Sequence, residues 1–147
     1  MTQRVRYQRL DERATEPCYG SAAAAGADLY GILDAPLTLQ PNETALVRTG
    51  LVVEIPEGFV GLVCARSGLA TKRGLAPANK VGVIDADYRG EVMVALHNHG
   101  VVPQTIEHGE RIAQLVLVPY LTASYEASDN LTATDRGAGG FGSTGMK

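Results

Sequence analysis

Three short segments of the chain combine residue types that suit an anion or a metal-assisted reaction. The first is ARSGLA (65–70). Arg66 offers a fork of donors that matches phosphate oxygens, Ser67 adds a hydroxyl, and a short helix opening near Ser67 would point its first N–H groups at an anion. A plain helix cap explains the same residues and is the simpler interpretation of this segment taken alone.

The second segment, NKVGVIDADYRGE (79–91), contains two carboxylates in close succession. Asp85 and Asp87 face the same way in an extended chain. Such a pair can hold a metal or carry out acid–base chemistry. The residues on either side also suit a turn, so a purely structural interpretation stays open.

The third segment is GERIAQ (109–114), in which Gln114 interrupts an otherwise apolar strand. A buried amide must find hydrogen-bond partners, because an unsatisfied polar group costs about 1–3 kcal/mol. Gln114 is therefore either a structural hydrogen-bonding residue or a ligand contact. His97 and His99 alternate as metal ligands can, but no third ligand stands at a suitable spacing, so we interpret them as ordinary edge or turn residues.

The C-terminal sequence RGAGGFGSTGMK (136–147) differs from the rest of the chain in having five glycines and a single aromatic residue. Glycine loses much entropy on ordering and packs little, so this tail is predicted to be mobile on its own. A frayed terminus without function is one interpretation. The succession of a cation, one aromatic ring and two hydroxyls instead favours a segment that becomes ordered when it binds an anionic ligand that carries an aromatic base.

Composition limits the classes of function that need to be considered. The net charge is −3 and the pI about 5.6, which argues against direct, sequence-independent binding of nucleic acid. The N-terminal residues contain no apolar signal segment, and no stretch approaches the length of a membrane span. The two cysteines, Cys18 and Cys64, are too few for a disulfide framework. We expect a cytoplasmic protein with reduced thiols and no membrane contact.

The elements that must position these segments are predicted to be short strands. Seventeen glycines and seven prolines divide the chain. The runs between them are rich in valine, leucine and isoleucine and favour β structure; they cover residues 45–55, 59–64, 91–98 and 112–118. Turns are predicted at 56–58 and 98–100, and one short helix at 67–72. The expected fold is all-β, a sandwich or barrel with at most one short helix.

The order of the segments along the chain resembles that of the trimeric dUTP pyrophosphatase family. Five motifs of that family are matched in sequence, and the likeness runs from about residue 17 to the C-terminus. They are AGADL (25–29), ARSGLA (65–70), NKVGVIDADYRGE (79–91), GERIAQ (109–114) and RGAGGFGSTG (136–145). The resemblance implies a jelly-roll-like domain over residues 1–135 and a flexible arm over 136–147. It also implies a homotrimer whose three subunits share each active site.

The resemblance further implies the reaction: hydrolysis of dUTP to dUMP and pyrophosphate, which supplies dUMP for thymidylate synthesis and keeps uracil out of DNA. Asp85 would be the general base that activates the attacking water. Mg²⁺ would sit mainly on the substrate phosphates, with Asp28 acting near it through water; an acidic residue ending a glycine turn is the alternative for Asp28. The residues implied to grip the phosphates are Arg66, Ser67, Gly68 and Gln114.

The resemblance assigns the remaining contacts to the base, the sugar and the arm. Asn79 and the backbone at Val83 and Ile84 would read the uracil edge, and Tyr88 would pack on the deoxyribose. Met93 would line the same pocket, although a plain core position explains it almost as well. The arm residues implied to contact dUTP are Arg136, Phe141, Gly142, Ser143 and Thr144, with the phenylalanine ring on the uracil.

Two other functions are open alternatives. dCTP deaminases share the fold but carry a glutamate ten positions after the motif-three aspartate, where this chain has Ala95. The third possibility is a trimeric regulatory protein that binds dUTP and signals to another protein. Small departures from the family pattern occur at Ala65, where many relatives have proline, and at Gly31, where alanine is common; we expect neither to affect activity.

Overall fold

The computed structural model describes residues 2–141, and these contain twelve short strands and one helix. The prediction of an all-β fold with at most one short helix is confirmed. The elements are β1 (Arg6–Arg9), β2 (Cys18–Tyr19), β3 (Gly26–Tyr30), β4 (Leu37–Leu39), β5 (Thr44–Arg48), β6 (Leu51–Glu54), β7 (Phe59–Cys64), α1 (Ser67–Arg73), β8 (Leu75–Pro77), β9 (Val81–Ile84), β10 (Met93–Asn98), β11 (Gln104–Ile106) and β12 (Arg111–Pro119).

Two antiparallel sheets carry most of the core. The larger has the strand order β2-β3-β12-β7-β9, and the smaller has the order β5-β10-β8. The pairs β1-β6 and β4-β11 form two further two-stranded sheets. Buried residues of both main sheets belong to one hydrophobic cluster, for example Leu29 and Leu115 from the larger and Val94 and Leu96 from the smaller. Sheets that pack face to face in this way form the sandwich layers expected of a jelly-roll-like fold.

Strand β10 shows how the sequence selects its face. Val94, Leu96 and Asn98 are buried, while the alternate residues Met93, Ala95 and His97 are exposed or partly exposed, which is the two-residue period of a strand with one buried face. The amide of Asn98 is fully buried and satisfied: its Nδ2 donates to the carbonyl oxygens of Leu39 (3.0 Å) and Val102 (2.8 Å). The buried polar group therefore fits the core without an unpaired atom.

The predicted strand over 45–55 is wrong as a single element, because the chain divides into β5 and β6, which belong to different sheets. Gly50, at the division, has φ +69°, a left-handed conformation that favours glycine. A Cβ there would also lie 2.4 Å from Cδ1 of Ile32. The other predicted strands and the helix agree with the structure to within two residues at each end.

Beyond β12, residues 120–141 contain no strand or helix. Leu121, Tyr125 and Leu131 are each at least 87% exposed in this segment. Both cysteines are free thiols. Within residues 2–141 no helix has the length and apolar character that a membrane crossing requires.

Candidate active site

A buried carboxylate links the first and second motif segments. Asp28 lies on β3 with 9% of its surface exposed. Its Oδ1 accepts a hydrogen bond from Arg66 Nε at 2.7 Å, and its Oδ2 accepts one from Arg111 Nη1 at 3.3 Å. One carboxylate thus holds two guanidinium groups, and the cluster keeps a net positive charge that suits an anion.

The bend into helix α1 places Arg66 beside this carboxylate. Arg66 is the N-cap residue, with φ −89° and ψ 127°, and no side chain caps the helix. The first helical hydrogen bond runs from Ala70 N–H to Arg66 O at 2.9 Å, so the N–H groups before it are available to a ligand. The N-cap position does fall in this segment, at Arg66, but no side chain makes a capping bond and the Arg66 side chain binds Asp28 instead, so a plain helix cap does not account for these residues.

Gln114 joins the same cluster from the neighbouring strand. Its Nε2 donates to the carbonyl oxygen of Ala65 at 2.8 Å, and in the sheet register Gln114 stands opposite Asp28. The residue is thus a structural hydrogen-bonding group, and it also lines a cavity of about 230 Å³. That cavity, which we call the phosphate-side cavity, is lined by Gly20, Ala24, Gly26, Asp28, Arg66, Ser67, Gly68, Arg111 and Gln114.

Arg111 was not among the predicted site residues, although it belongs to the predicted GERIAQ segment. In a regular strand, residues 111 and 114 would point to opposite faces. The pairing of β12 with β3 shifts register between Arg111 and Ala113. Such a bulge re-aims a side chain, and here it brings both Arg111 and Gln114 to the same cavity. The strand period could not have indicated this residue, but its charge could have, because a guanidinium group suits phosphate oxygens.

A second cavity, of about 190 Å³, gathers most of the predicted base and sugar contacts. We call it the base-side cavity. Six predicted residues line it: Asn79, Val83, Ile84, Asp85, Tyr88 and Met93. Met93 is 40% exposed, so the plain-core alternative for it is wrong. Glu91, which was not singled out from the sequence, lines the cavity as well.

The two carboxylates of motif three do not act as a pair. Residues 85–88 form a turn in which Tyr88 N–H donates to Asp85 O at 3.2 Å. Asp85 lines the base-side cavity, whereas Asp87 lines a separate, open cavity with Arg4, Arg6 and Arg89. The expectation that they face the same way is wrong because the chain is not extended here.

No residue lines both the phosphate-side and the base-side cavity in the part of the chain that the structure describes. The described arm residues lie apart from both: Arg136 Nε donates to Gly139 O at 2.7 Å, and Phe141 is fully exposed. The other predicted arm contacts, Gly142, Ser143 and Thr144, lie outside the described residues. In a single copy, the residues predicted to contact the phosphates, those predicted to contact the base and sugar, and the described arm residues therefore lie in three separate places.

The two histidines form their own contact, away from both cavities. The ring centroids of His97 and His99 are 4.3 Å apart, and His97 Nδ1 hydrogen-bonds to Thr44 Oγ1 at 2.7 Å. Over residues 2–141 no group of three or more histidine, cysteine or acidic side chains is placed to hold a metal. A metal site at these histidines has no support in that part of the chain.

The fold and these two cavities define an all-β protein with a cationic cradle and a separate pocket at a sheet edge. Comparison with known proteins gives the family. The dUTPase family model matches residues 12–145. The deoxyuridine 5'-triphosphate nucleotidohydrolase of Desulfitobacterium hafniense is 48% identical over 97% of this chain and 95% of its own length. The enzyme of the same name from Desulfotalea psychrophila is 49% identical over 99% of this chain and its full length.

A solved structure agrees with the sequence relatives. The Staphylococcus bacteriophage 80alpha dUTPase with dUPNHPP superposes with a TM-score of 0.88 at 30% identity, covering 98% of this chain and 99% of that one. This chain belongs to the dUTPase family.

Proposed function

We propose that the chain hydrolyses dUTP to dUMP and pyrophosphate. The observation that carries the proposal is the Asp28–Arg66–Arg111 cluster that lines the phosphate-side cavity, in a chain of the dUTPase family. Arg66, together with Ser67 and Gly68 of the first turn of α1, lines one small cavity with Gln114. Such convergent donors hold a phosphate chain.

The base-side cavity suits the uracil and its sugar. Strand β9 is the outer strand of the larger sheet, and it pairs with β7 on one side. Among the described residues its other edge is not paired in the sheet, and backbone groups of the Val83–Ile84 segment at that edge would bind the uracil, with Asn79 lining the same cavity. Cytosine would leave groups unpaired there because its donor and acceptor pattern is reversed. Tyr88 closes the cavity as a wall for the deoxyribose.

Asp85 is the proposed general base. Its carboxylate stands at the end of β9 and lines the base-side cavity. It accepts a proton from the water as the water oxygen bonds to the α-phosphorus. The bond from that phosphorus to the bridging oxygen then breaks, and pyrophosphate leaves. Correct orientation of the water matters most, because a carboxylate is a weak base.

Magnesium fits the donor set only if the substrate supplies most of its ligands. Among the described residues that line the phosphate-side cavity, Asp28 alone is a carboxylate, and both of its oxygens already bind arginines. Asp28 would therefore contact the ion through a water molecule. The ion, when bound with the triphosphate, supplies charge neutralisation.

A homotrimer with shared active sites is the proposed assembly. Each of the two cavities is smaller than the 300–1,000 Å³ of ordinary ligand pockets, and no described residue joins them. Residues 120–141 carry exposed Leu121 and Tyr125 without an element of their own. An apolar groove lined by Tyr7, Val53 and Leu117 offers a surface for such a segment from another copy. The arm, residues 136–147, would then complete a site in the assembly.

The test is pyrophosphate release from dUTP, dCTP, dTTP and UTP, each with and without Mg²⁺, with the oligomeric state measured by light scattering. Release from dUTP alone, stimulated by the metal, in a trimeric sample supports the proposal. Ammonia release from dCTP would indicate a deaminase. Tight binding of dUTP without turnover would indicate the regulatory alternative, and a fully active monomer would contradict the shared site.

A further inference from the structure

Gly90 lies directly under the ring of Tyr88. A Cβ atom added at Gly90 would fall 2.3 Å from Oη of Tyr88, 2.5 Å from its Cζ and 2.9 Å from its Cε2. Cβ atoms do not approach other atoms to within 3.0 Å. The backbone of Gly90 is not in the left-handed region, where only glycine is comfortable. Glycine is thus needed here for the space above it, not for its φ angle.

A hydrogen bond fixes the ring in this place. Oη of Tyr88 donates to the carbonyl oxygen of Glu91 at 3.0 Å. The Glu91 side chain is only 14% exposed. Its carboxylate accepts from Gly50 N–H at 2.7 Å and from Arg48 Nε at 3.1 Å. The acceptor of the tyrosine hydroxyl is therefore anchored to the turn between β5 and β6.

The ring and its anchor both form the wall of the base-side cavity. Any substituent at Gly90 must push the Tyr88 ring away from Glu91, and the movement costs the hydrogen bond to the Glu91 carbonyl oxygen but no buried packing. Tyr88 is 42% exposed, so this movement is open to it. The backbone and the core beneath would stay as they are, while the shape of the cavity changes.

We propose that Gly90 is a specificity-positioning residue: by leaving room for the Tyr88 ring against Glu91, it sets the wall that admits a 2′-deoxyribose and rejects a ribose 2′-hydroxyl. The inference rests on the proposed binding of dUTP in this cavity. Gly90 itself contacts no substrate atom in this account and acts through Tyr88.

The experiment is a double-mutant cycle of Gly90→Ala and Tyr88→Ala, read as the ratio of kcat/KM for dUTP to that for UTP. In the wild-type background we expect Gly90→Ala to lower the ratio about tenfold, the range that a small misfit in a pocket produces, with an unchanged urea midpoint. In the Tyr88→Ala background the same substitution is expected to leave the ratio unchanged, because the ring that it displaces is gone.

Two results would overturn the inference. One is an unchanged ratio in Gly90→Ala; the other is an equal fall in both backgrounds, which would mean that the glycine acts through the backbone. If Gly90→Ala does not fold, Tyr88→Phe supplies the second measurement: losing the hydrogen bond to Glu91 must lower the ratio, and an unchanged ratio refutes the role of the anchored ring. Absence of dUTP turnover in the wild-type protein would instead refute the proposed function.

Discussion

Replacing Asp28 by alanine tests whether the buried carboxylate organises the phosphate-side cavity. Breaking a fully buried ion pair by removing one partner costs about 3–5 kcal/mol, and an exposed pair contributes about 0–1 kcal/mol. The side chain of Asp28 is 13% exposed, that of Arg66 25% and that of Arg111 52%. The cluster lies between these limits, so we expect Asp28→Ala to lower the free energy of unfolding by about 2 kcal/mol.

The effect on turnover should exceed the effect on folding. Without the carboxylate, Arg66 loses its 2.7 Å partner and its guanidinium is free to move; misplacement of a positioning group by about 1 Å costs about 100-fold in rate. We expect kcat/KM for dUTP to fall about 100-fold at a temperature where the variant remains folded. Stability is measured by urea denaturation, and turnover by pyrophosphate release with saturating Mg²⁺.

Asp34 provides the matched control. It also pairs with an arginine, Arg13, at 2.9 Å, but its side chain is 93% exposed. Asp34→Ala is expected to change stability by less than about 0.5 kcal/mol and to leave turnover unchanged. Normal turnover in a destabilised Asp28→Ala protein would refute the positioning role, and normal stability would refute the account of the ion pairs.

Three further predictions concern the base, the arm and a histidine. Asp85→Asn should retain the affinity for a non-hydrolysable dUTP analogue in calorimetry but lose about 10²–10⁴-fold in turnover; near-normal hydrolysis would place the base elsewhere. Deletion from Phe141 onward should reduce turnover far more than the urea midpoint, because this residue contributes no packing; unchanged turnover would contradict the role of the arm. His99 is exposed, but its partial desolvation and the positive charges of nearby His97 and Lys80 lower its pKa. Its contribution to stability is therefore present above about pH 6.5 and is lost as the pH falls through the folded-state pKa. The urea midpoint of the wild-type protein should therefore fall more than that of His99→Gln as the pH is lowered below about 6.5. An equal fall in the two proteins would disprove this prediction.

The strands of the core were predictable because they carry long apolar runs bounded by turn residues. The predicted run 59–64 coincides with β7, and 112–118 falls within β12. Strands without buried residues gave no such signal: all four residues of β1, RYQR, are exposed. Hydrophobic periodicity detects burial, and it fails where a strand is held by backbone pairing alone.

The site was predictable as a set of residues but not as an arrangement. The residues of ARSGLA and GERIAQ that are predicted to bind the phosphates do line one cavity, because β7 and β12 are paired. The local geometry differed where the backbone leaves the regular period, at the turn over 85–88 and at the register shift before Ala113. Period arguments assume regular elements, so a bulge or a turn reverses the side on which a residue lies.

The outer position of β9 has a consequence for handling the protein. An unpaired strand edge is a template onto which a strand of another molecule can add, and exposed valines strengthen that tendency. Val81 and Val83 are 46% and 64% exposed on this strand. Its four residues are flanked by Lys80 and Asp85, charges of the kind that limit edge-to-edge aggregation. The edge proposed to bind the base is thus also the edge at which a second molecule can pair, and we expect bound nucleotide to slow aggregation of the concentrated protein.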